Sequence, residues 1–398
     1  MRIQDETLQK SIENYGTPQY VFDVDAFYER YDRFKQVFGG EVAINYCMKT
    51  NPFLTAASLE KTDRIEVCSY GEFLICAELG IQPERLLISG VLKKREDMRV
   101  IMDYCKDRAI YTVESESQLK IIRELAEEYG IIAKVYFRLN CAQFGMDQET
   151  IIAILNSDMM KNIDFYGIHY FTGTQKHKLS KHAKEIQKLD KFFQKIFEET
   201  GRKVCNLEYG TGFGVPYFEG QDETVTTEEE LLEFKKYLEA MTWNGKISLE
   251  MGRALAYNCG YYITEIRDMK VSDGRNYVIV DGGIHQIHYD GQLRGMYVPH
   301  MHVIKKSKHT KADTEQIHYA IHGSLCTTND VLVGDYVSSE LHKGDYVIFE
   351  NVGAYSVYEG MSLFLSHELP AVVLYSRDGV LELVRRLFET YHFNTPLL

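Results

Sequence analysis

Three segments far apart in the chain carry the groups best suited to chemistry. Lys49 stands in Ile44-Asn45-Tyr46-Cys47-Met48-Lys49-Thr50-Asn51-Pro52, glycine recurs in Gly210-Thr211-Gly212-Phe213-Gly214, and Glu250-Met251-Gly252-Arg253 sets a carboxylate beside a guanidinium. A lysine amine forms Schiff bases, and a loop lacking Cβ atoms lets backbone amides approach a phosphate. A carboxylate holds a pyridine nitrogen protonated, which makes the ring an electron sink. Those are the requirements of pyridoxal phosphate (PLP), and the combination says more than any one member.

Each member has a plainer reading. A lysine after a strand is usually a solvated charge, a glycine-rich loop is usually a turn, and Glu250 with Arg253 reads as a structural ion pair. Cys326, in Gly323-Ser324-Leu325-Cys326-Thr327-Thr328-Asn329-Asp330, reads alone as a small buried hydrophobe. His169, in Gly167-Ile168-His169-Tyr170-Phe171-Thr172-Gly173-Thr174, reads equally as a satisfied structural histidine.

The elements that must position these groups follow from hydrophobic periodicity. From about residue 27 to 265, short apolar or β-branched runs alternate with stretches of helical period, as in βαβ units around a parallel sheet. Val42–Tyr46, Leu86–Ser89, Ala133–Arg138 and Lys246–Leu249 are such runs. Lys49, Arg138, His169 and Glu250 lie at their ends, where a (β/α)8 barrel gathers its chemistry. After about residue 270 the texture changes to closely spaced strands such as Tyr277–Val280, Gln316–Ile321 and Asp345–Phe349. The expected fold is α/β: a (β/α)8 barrel over 27–268 and an all-β domain from 1–26 and 269–398, in which Tyr20–Val24 pairs with the later strands.

Composition narrows the partners. The 398 residues carry a formal net charge of −13, which argues against nucleic acid, since phosphate backbones select a basic face. The basic block Lys305-Lys306-Ser307-Lys308-His309-Thr310-Lys311 reads as a solvated loop or strand edge. Eight cysteines without a CxxC pair fit a reducing cytoplasm and give no zinc site. The first residues lack a signal-peptide core and no run is apolar enough to span a membrane, so a cytoplasmic protein is expected.

With these residues assembled, the chain resembles the fold-type III PLP decarboxylases, the group of diaminopimelate and ornithine decarboxylase. Tyr46–Pro52 resembles their YxxKAN(P) motif, Glu66–Glu72 their (D)VASxGE, and Thr112–Ser115 the strand that follows. The resemblance implies a barrel of the alanine-racemase type, with Lys49 as the Schiff-base lysine and Glu250 at the pyridine nitrogen. It further implies Gly212, Gly214, Thr174, Arg253 and Tyr355 (in Gly353-Ala354-Tyr355) around the phosphate. Cys326 and Asp330 match CxxxD, whose cysteine returns a proton to the α-carbon from the other subunit, so a homodimer with shared sites is implied.

Departures from the family pattern bear on the ring and on the substrate. HxGS appears as Phe171-Thr172-Gly173-Thr174, which puts a phenylalanine at the ring-stacking position and leaves His169 two residues earlier; either faces the ring. Thr327 follows the cysteine where decarboxylases of diaminopimelate, lysine and ornithine have an acid for the distal ammonium. Arg294 and Tyr297 resemble the RPxxY segment for a distal carboxylate, one residue shorter. The expected substrate is therefore an amino acid whose far end is a carboxylate, amide or acyl linkage, as in a carrier-protein-bound glutamyl group or a citrate-linked amino acid. Diaminopimelate or ornithine/lysine decarboxylation stands as the alternative, with an amino-acid racemase or a non-catalytic PLP-binding protein as rivals of another class.

Overall fold

A computed structural model describes residues 3–223, 226–306 and 316–397. Lys308 and Lys311 of the basic block lie outside the described residues; within it, the Lys305 ammonium donates to Ser339 Oγ at 2.8 Å. The chain divides into two compact units, one of Arg30–Val215 with Glu223–Leu255, the other of Met1–Glu29, Pro216–Asp222 and Ala256–Leu398.

In chain order the strands are β1 (Gln19–Asp23), β2 (Ala43–Cys47), β3 (Arg64–Val67), β4 (Leu86–Ile88), β5 (Ile110–Val113), β6 (Ala133–Arg138), β7 (Ile163–Tyr170), β8 (Asn206–Gly210) and β9 (Lys246–Met251). There follow β10 (Gly260–Ser272), β11 (Arg275–Val280), β12 (Met301–Ile304), β13 (Ile317–His322), β14 (Val331–Ser338), β15 (Tyr346–Glu350), β16 (Ala371–Tyr375) and β17 (Leu381–Arg385).

Strands β2 to β9 close into a barrel in sequential order, all parallel, and β9 returns to β2 with Glu250 opposite Asn45. The strand period of two sorts the barrel interior into layers. Leu87, Ile110 and Tyr136 form a buried apolar cluster with Tyr166 against it. Two residues further along the same strands stand Ser89, Thr112 and Arg138, and the Ser89 hydroxyl donates to Thr112 at 3.3 Å. Along β4, β5 and β6 the lower residues are therefore apolar and the upper ones polar. Truncating a lower-layer aliphatic side chain costs about 2–5 kcal/mol, whereas the upper layer is free to carry chemistry.

Helix entry beyond the strands is set by local capping. Ser69 Oγ accepts from Glu72 N at 3.1 Å while Glu72 Oε2 accepts from Cys68 N, a reciprocal pair that anchors the helix Tyr70–Glu78 just after β3.

The second unit is a nine-stranded sheet ordered β14-β13-β11-β10-β1-β16-β17, with β12 and β15 joined through β10. Strand β1 pairs antiparallel with β10 and parallel with β16. Leu8 and Ile12 of the helix Asp5–Tyr15 pack with Val21, Ile263, Ile348 and Val373 in its core. Among the described residues, no helix is long and apolar enough to cross a membrane.

Candidate active site

Lys49 sits at the barrel mouth because β2 ends at Cys47 and a short 3-10 turn, Met48–Thr50, carries the chain outward. The Asn51 side chain accepts from Phe53 N at 3.2 Å and its carbonyl accepts from Tyr46 OH at 2.9 Å, so the turn is held on both sides. The Lys49 ammonium is ion-paired with Glu66 Oε2 and lies 3.3 Å from Cys68 Sγ, which donates to Glu66 Oε1 at 3.1 Å. Burial pushes the Glu66 carboxyl up, but the charge and hydrogen bond of Lys49, with the Cys47 thiol, outweigh it and hold Glu66 below the usual carboxylate range. The reverse applies to the thiols: burial, then the charge of Glu66, pushes Cys47 and Cys68 well above the normal thiol range, so both act as donors. Cys47, Glu66 and Glu250 bring ligand atoms within 4.8 Å of one another, yet Glu66 is committed to the lysine.

Glu250 and His169 are buried at the ends of β9 and β7, with His169 Nε2 3.1 Å from Glu250 Oε2. Among the described residues Glu250 Oε1 and His169 Nδ1 have no hydrogen-bond partner. Buried polar atoms are normally satisfied, so an orphaned acceptor beside a satisfied one marks a place for a donor from outside the chain. Glu208, whose Oε1 accepts from Asn45 Nδ2 at 2.7 Å, is pushed well above the usual carboxyl range by burial and then by the charge of Glu250.

The glycine segment faces the turn after β7. Gly212 has φ +57°, and a Cβ there would lie 2.0 Å from Gly173 O, so this position admits no side chain. Its carbonyl accepts from Lys176 N at 2.9 Å, while among the described residues its own amide has no acceptor. Arg253 Nε donates to Thr174 Oγ1 at 3.2 Å, bringing guanidinium, hydroxyl and glycine turn together. Gly214 is engaged differently from Gly212. Its amide donates to Lys176 O at 3.2 Å, and the space a Cβ would fill is taken by the His177 ring, so what Gly214 supplies is room. Phe171 packs over Gly210, where an added Cβ would approach its ring to 2.5 Å. Beneath the turn, buried Lys176 pairs with Glu185 at 3.0 Å, and Glu185 also accepts from Thr172 and Tyr209. Arg138 is taken by Glu114 at 2.6 Å. Burial brings the Lys93 ammonium down to about 8, and it donates to the carbonyls of Ser89 and Gly90.

The remaining candidates lie in the other unit. Cys326 is exposed. Thr327 Oγ1 accepts from Asn329 N at 3.3 Å, and Asn329 Oδ1 accepts from Arg294 Nε at 2.8 Å. Asp330 is fully buried, and its oxygens accept from Ile284 N at 2.9 Å and Leu325 N at 2.7 Å; it holds the loop rather than facing outward. Arg294 lines a cavity of about 460 Å³ with Asn329, Leu293, Phe349, Met361 and Glu359. Tyr297 is half exposed, its ring 5.0 Å from that of Phe218. Tyr355 follows buried Ala354 at φ +63°.

Sequence reasoning missed Glu66 as the partner of Lys49. The available signal was an acid between Ile65 and Val67 in a strand, which alternation turns into the barrel.

Residues 24–257 match the family model described as pyridoxal-dependent decarboxylase, pyridoxal binding domain. Over 97% of this chain and 95% of the relative, the sequence is 28% identical to L-glutamyl-[BtrI acyl-carrier protein] decarboxylase of Niallia circulans. It is 25% identical to diaminopimelate decarboxylase of Aquifex aeolicus over 96% of this chain and 92% of the relative. Among solved structures, diaminopimelate decarboxylase from M. jannaschii in co-complex with L-lysine is similar in fold, with TM-score 0.81, 24% identity and coverage of 95% and 91% of the two chains. The Helicobacter pylori enzyme complexed with L-lysine gives TM-score 0.82 at 22% identity, covering 97% and 98%. The residues of the barrel fit PLP: an orphaned carboxylate oxygen for a pyridinium N–H, a turn that only glycine can make for the phosphate, and an amine at the mouth.

Proposed function

Because the chain belongs to the pyridoxal-dependent decarboxylase family, and is thus a PLP-dependent carboxy-lyase acting on amino acids, we propose that its substrate ends distally in a carboxylate, amide or acyl conjugate, of the glutamyl-carrier-protein or citrate-linked type. With that membership the racemase and non-catalytic readings are set aside.

The observation that carries the proposal is the loop after β13. Thr327 is neutral and its hydroxyl is engaged, Asp330 is turned to backbone amides, and Arg294 adds a cation beside Asn329. A free ammonium finds no carboxylate on that loop, whereas a carbonyl or carboxylate finds a guanidinium. The Niallia circulans relative, named for a glutamyl group on an acyl-carrier protein, acts on a substrate of this kind. Glu359, lining the same cavity as Arg294, favours the second reading, a diamino acid such as diaminopimelate with both charges at its far end.

In the proposed mechanism Lys49 is the amine that would hold PLP, and Glu66 keeps its ammonium in place. Arg253, Thr174 and the Gly212 amide would hold the phosphate, a role also proposed for Tyr355, while Gly214 leaves room in the turn. Glu250 Oε1 would accept from the pyridine N–H, with His169 fixing the other oxygen of that carboxylate, and Phe171 would lie at the ring face. When bound, PLP supplies the sink for the electron pair left as the Cα–carboxylate bond breaks and CO2 departs. Cys326 of a second copy then delivers a proton to Cα. Arg294 and Tyr297 receive the distal group beside Thr327, and Asp330 holds their loop. The free cysteines support a cytoplasmic setting, and the shared role proposed for Cys326 makes the working form a homodimer.

The deciding experiment is mass-resolved CO2 release across diaminopimelate, lysine, ornithine and arginine beside glutamyl thioesters, γ-acylated glutamates and citrate-linked diamino acids. Conjugates are expected to give the highest kcat/KM; a cationic diamino acid giving it would overturn the distal-group argument.

A further inference from the structure

The helix Leu179–Thr200, which follows the phosphate turn, carries a straight row of lysines. Its buried side is His182, Ile186, Leu189, Phe192, Phe193 and Ile196. On the outer side Lys181, Lys184, Lys188, Lys191 and Lys195 recur at alternating intervals of three and four, which places them on one helix face. Lys178 precedes them and is exposed. In a chain of net charge −13, such sorting runs against composition.

Two of the helix's four acids, Glu185 and Asp190, are committed elsewhere, and the other two, Glu198 and Glu199, lie at its C-terminal end. Glu185 turns to Lys176, Thr172 and Tyr209, and Asp190 accepts from the backbone of Thr242 and Trp243. Lys195 meets Glu149 and Glu199 at 3.1 and 3.9 Å. Among the described residues Lys181, Lys184, Lys188 and Lys191 make no ion pair; the Lys188 ammonium lies over the Tyr170 ring at 5.2 Å. The adjoining helix Glu228–Glu239 bears exposed Glu228, Glu229 and Glu239, so the basic row has an acidic border that fixes its edge.

We propose that this lysine row is the docking face for a small acidic protein that carries the substrate, an assignment that rests on the carrier-bound reading of the previous subsection. Position supports it. The row starts a few residues after Thr174, at the barrel face where the active-site loops gather, and runs about 21 Å down the outer wall. A carrier seated there has its loaded end at the mouth. The strongly negative chain repels other polyanions except along this stripe, so charge complementarity gives register as well as attraction.

The test uses PLP-loaded enzyme and a fluorescently labelled holo acyl carrier protein. Kd is measured for wild type, for Lys181→Glu/Lys184→Glu/Lys188→Glu/Lys191→Glu, and for the corresponding fourfold Gln variant. Reversal is expected to raise Kd at least tenfold and neutralisation to raise it less, with wild-type Kd rising with salt. Turnover of a small glutamyl pantetheine thioester should stay at the wild-type rate, which reports an intact fold. A wild-type Kd in the charge-reversed protein, or no carrier binding by wild type, overturns the proposal. Tighter binding of duplex DNA or anionic vesicles, lost on reversal, overturns the carrier assignment. CO2 release from carrier-bound glutamate is read separately: its absence where binding persists sinks the substrate reading and leaves the docking face standing.

Discussion

His169 Nε2 lies 3.1 Å from one oxygen of Glu250, and the other oxygen of that buried carboxylate has no partner among the described residues. The histidine therefore orients the carboxylate and leaves one acceptor aimed at an incoming donor. Glu250→Gln should retain PLP, because the phosphate cradle is untouched, yet lose roughly 100-fold or more in kcat, the scale seen when a preorganised electrostatic partner is removed. His169→Asn should cost less, about tenfold. The measurements are kcat beside cofactor absorbance; full turnover by Glu250→Gln would remove its assigned role.

Glu66 makes a prediction in pH. Its folded carboxyl is held below the usual range, burial being outweighed by Lys49 and the Cys47 thiol. A depressed carboxylate contributes stability that is present above its unfolded pKa of about 4.3 and is lost as pH falls toward its folded value. Comparing Tm of apoenzyme for wild type and Glu66→Gln, the wild type should lead by a constant margin near neutrality, and the margin should close below about pH 4. A margin independent of pH would mean the carboxylate and the ammonium are not coupled.

Gly212→Ala addresses the phosphate turn. At φ +57° an alanine is strained, and its Cβ would sit 2.0 Å from Gly173 O, so the two turns must separate. PLP affinity, followed by fluorescence titration, should fall by an order of magnitude or more. Thr174→Ala, which frees Arg253 from its 3.2 Å bond, should weaken PLP less. An unchanged Kd in Gly212→Ala would place the phosphate elsewhere.

The parts of the site legible in sequence were those whose chemistry demands one residue type. Lysine forms Schiff bases and glycine permits the turn at 212, so Lys49 and the glycine segment become candidates from sequence once they are taken together, each having a plainer reading alone. Barrel strands were legible because buried parallel strands read as short apolar runs between helical stretches. What escaped depends on three-dimensional register. Glu66 becomes the counterion of Lys49 because β2 and β3 pair with Cys47 opposite Glu66. Asp330 reads as an acid in a polar loop, and its engagement with Ile284 N, far away in the chain, has no local signature. The bond from the Gly214 amide to the Lys176 carbonyl likewise has no local signature.

Cys326 provides the test of shared sites. The thiol is exposed on its own chain, as a group offered to another subunit must be. Cys326→Ala should keep PLP and lower kcat, with substrate-derived aldehyde or other misprotonated product appearing as the proton arrives late. Lys49→Ala should be inactive outright. Mixing the inactive Lys49→Ala homodimer with the impaired Cys326→Ala homodimer under exchange conditions should bring back about a quarter of wild-type activity above the residual rate of the Cys326→Ala parent, because half the dimers then hold one complete site. If both residues served the same subunit's site, no activity would return on mixing beyond the sum of the parents. The complementation assay separates the two arrangements without knowledge of the natural substrate, provided any amino acid in the panel releases CO2.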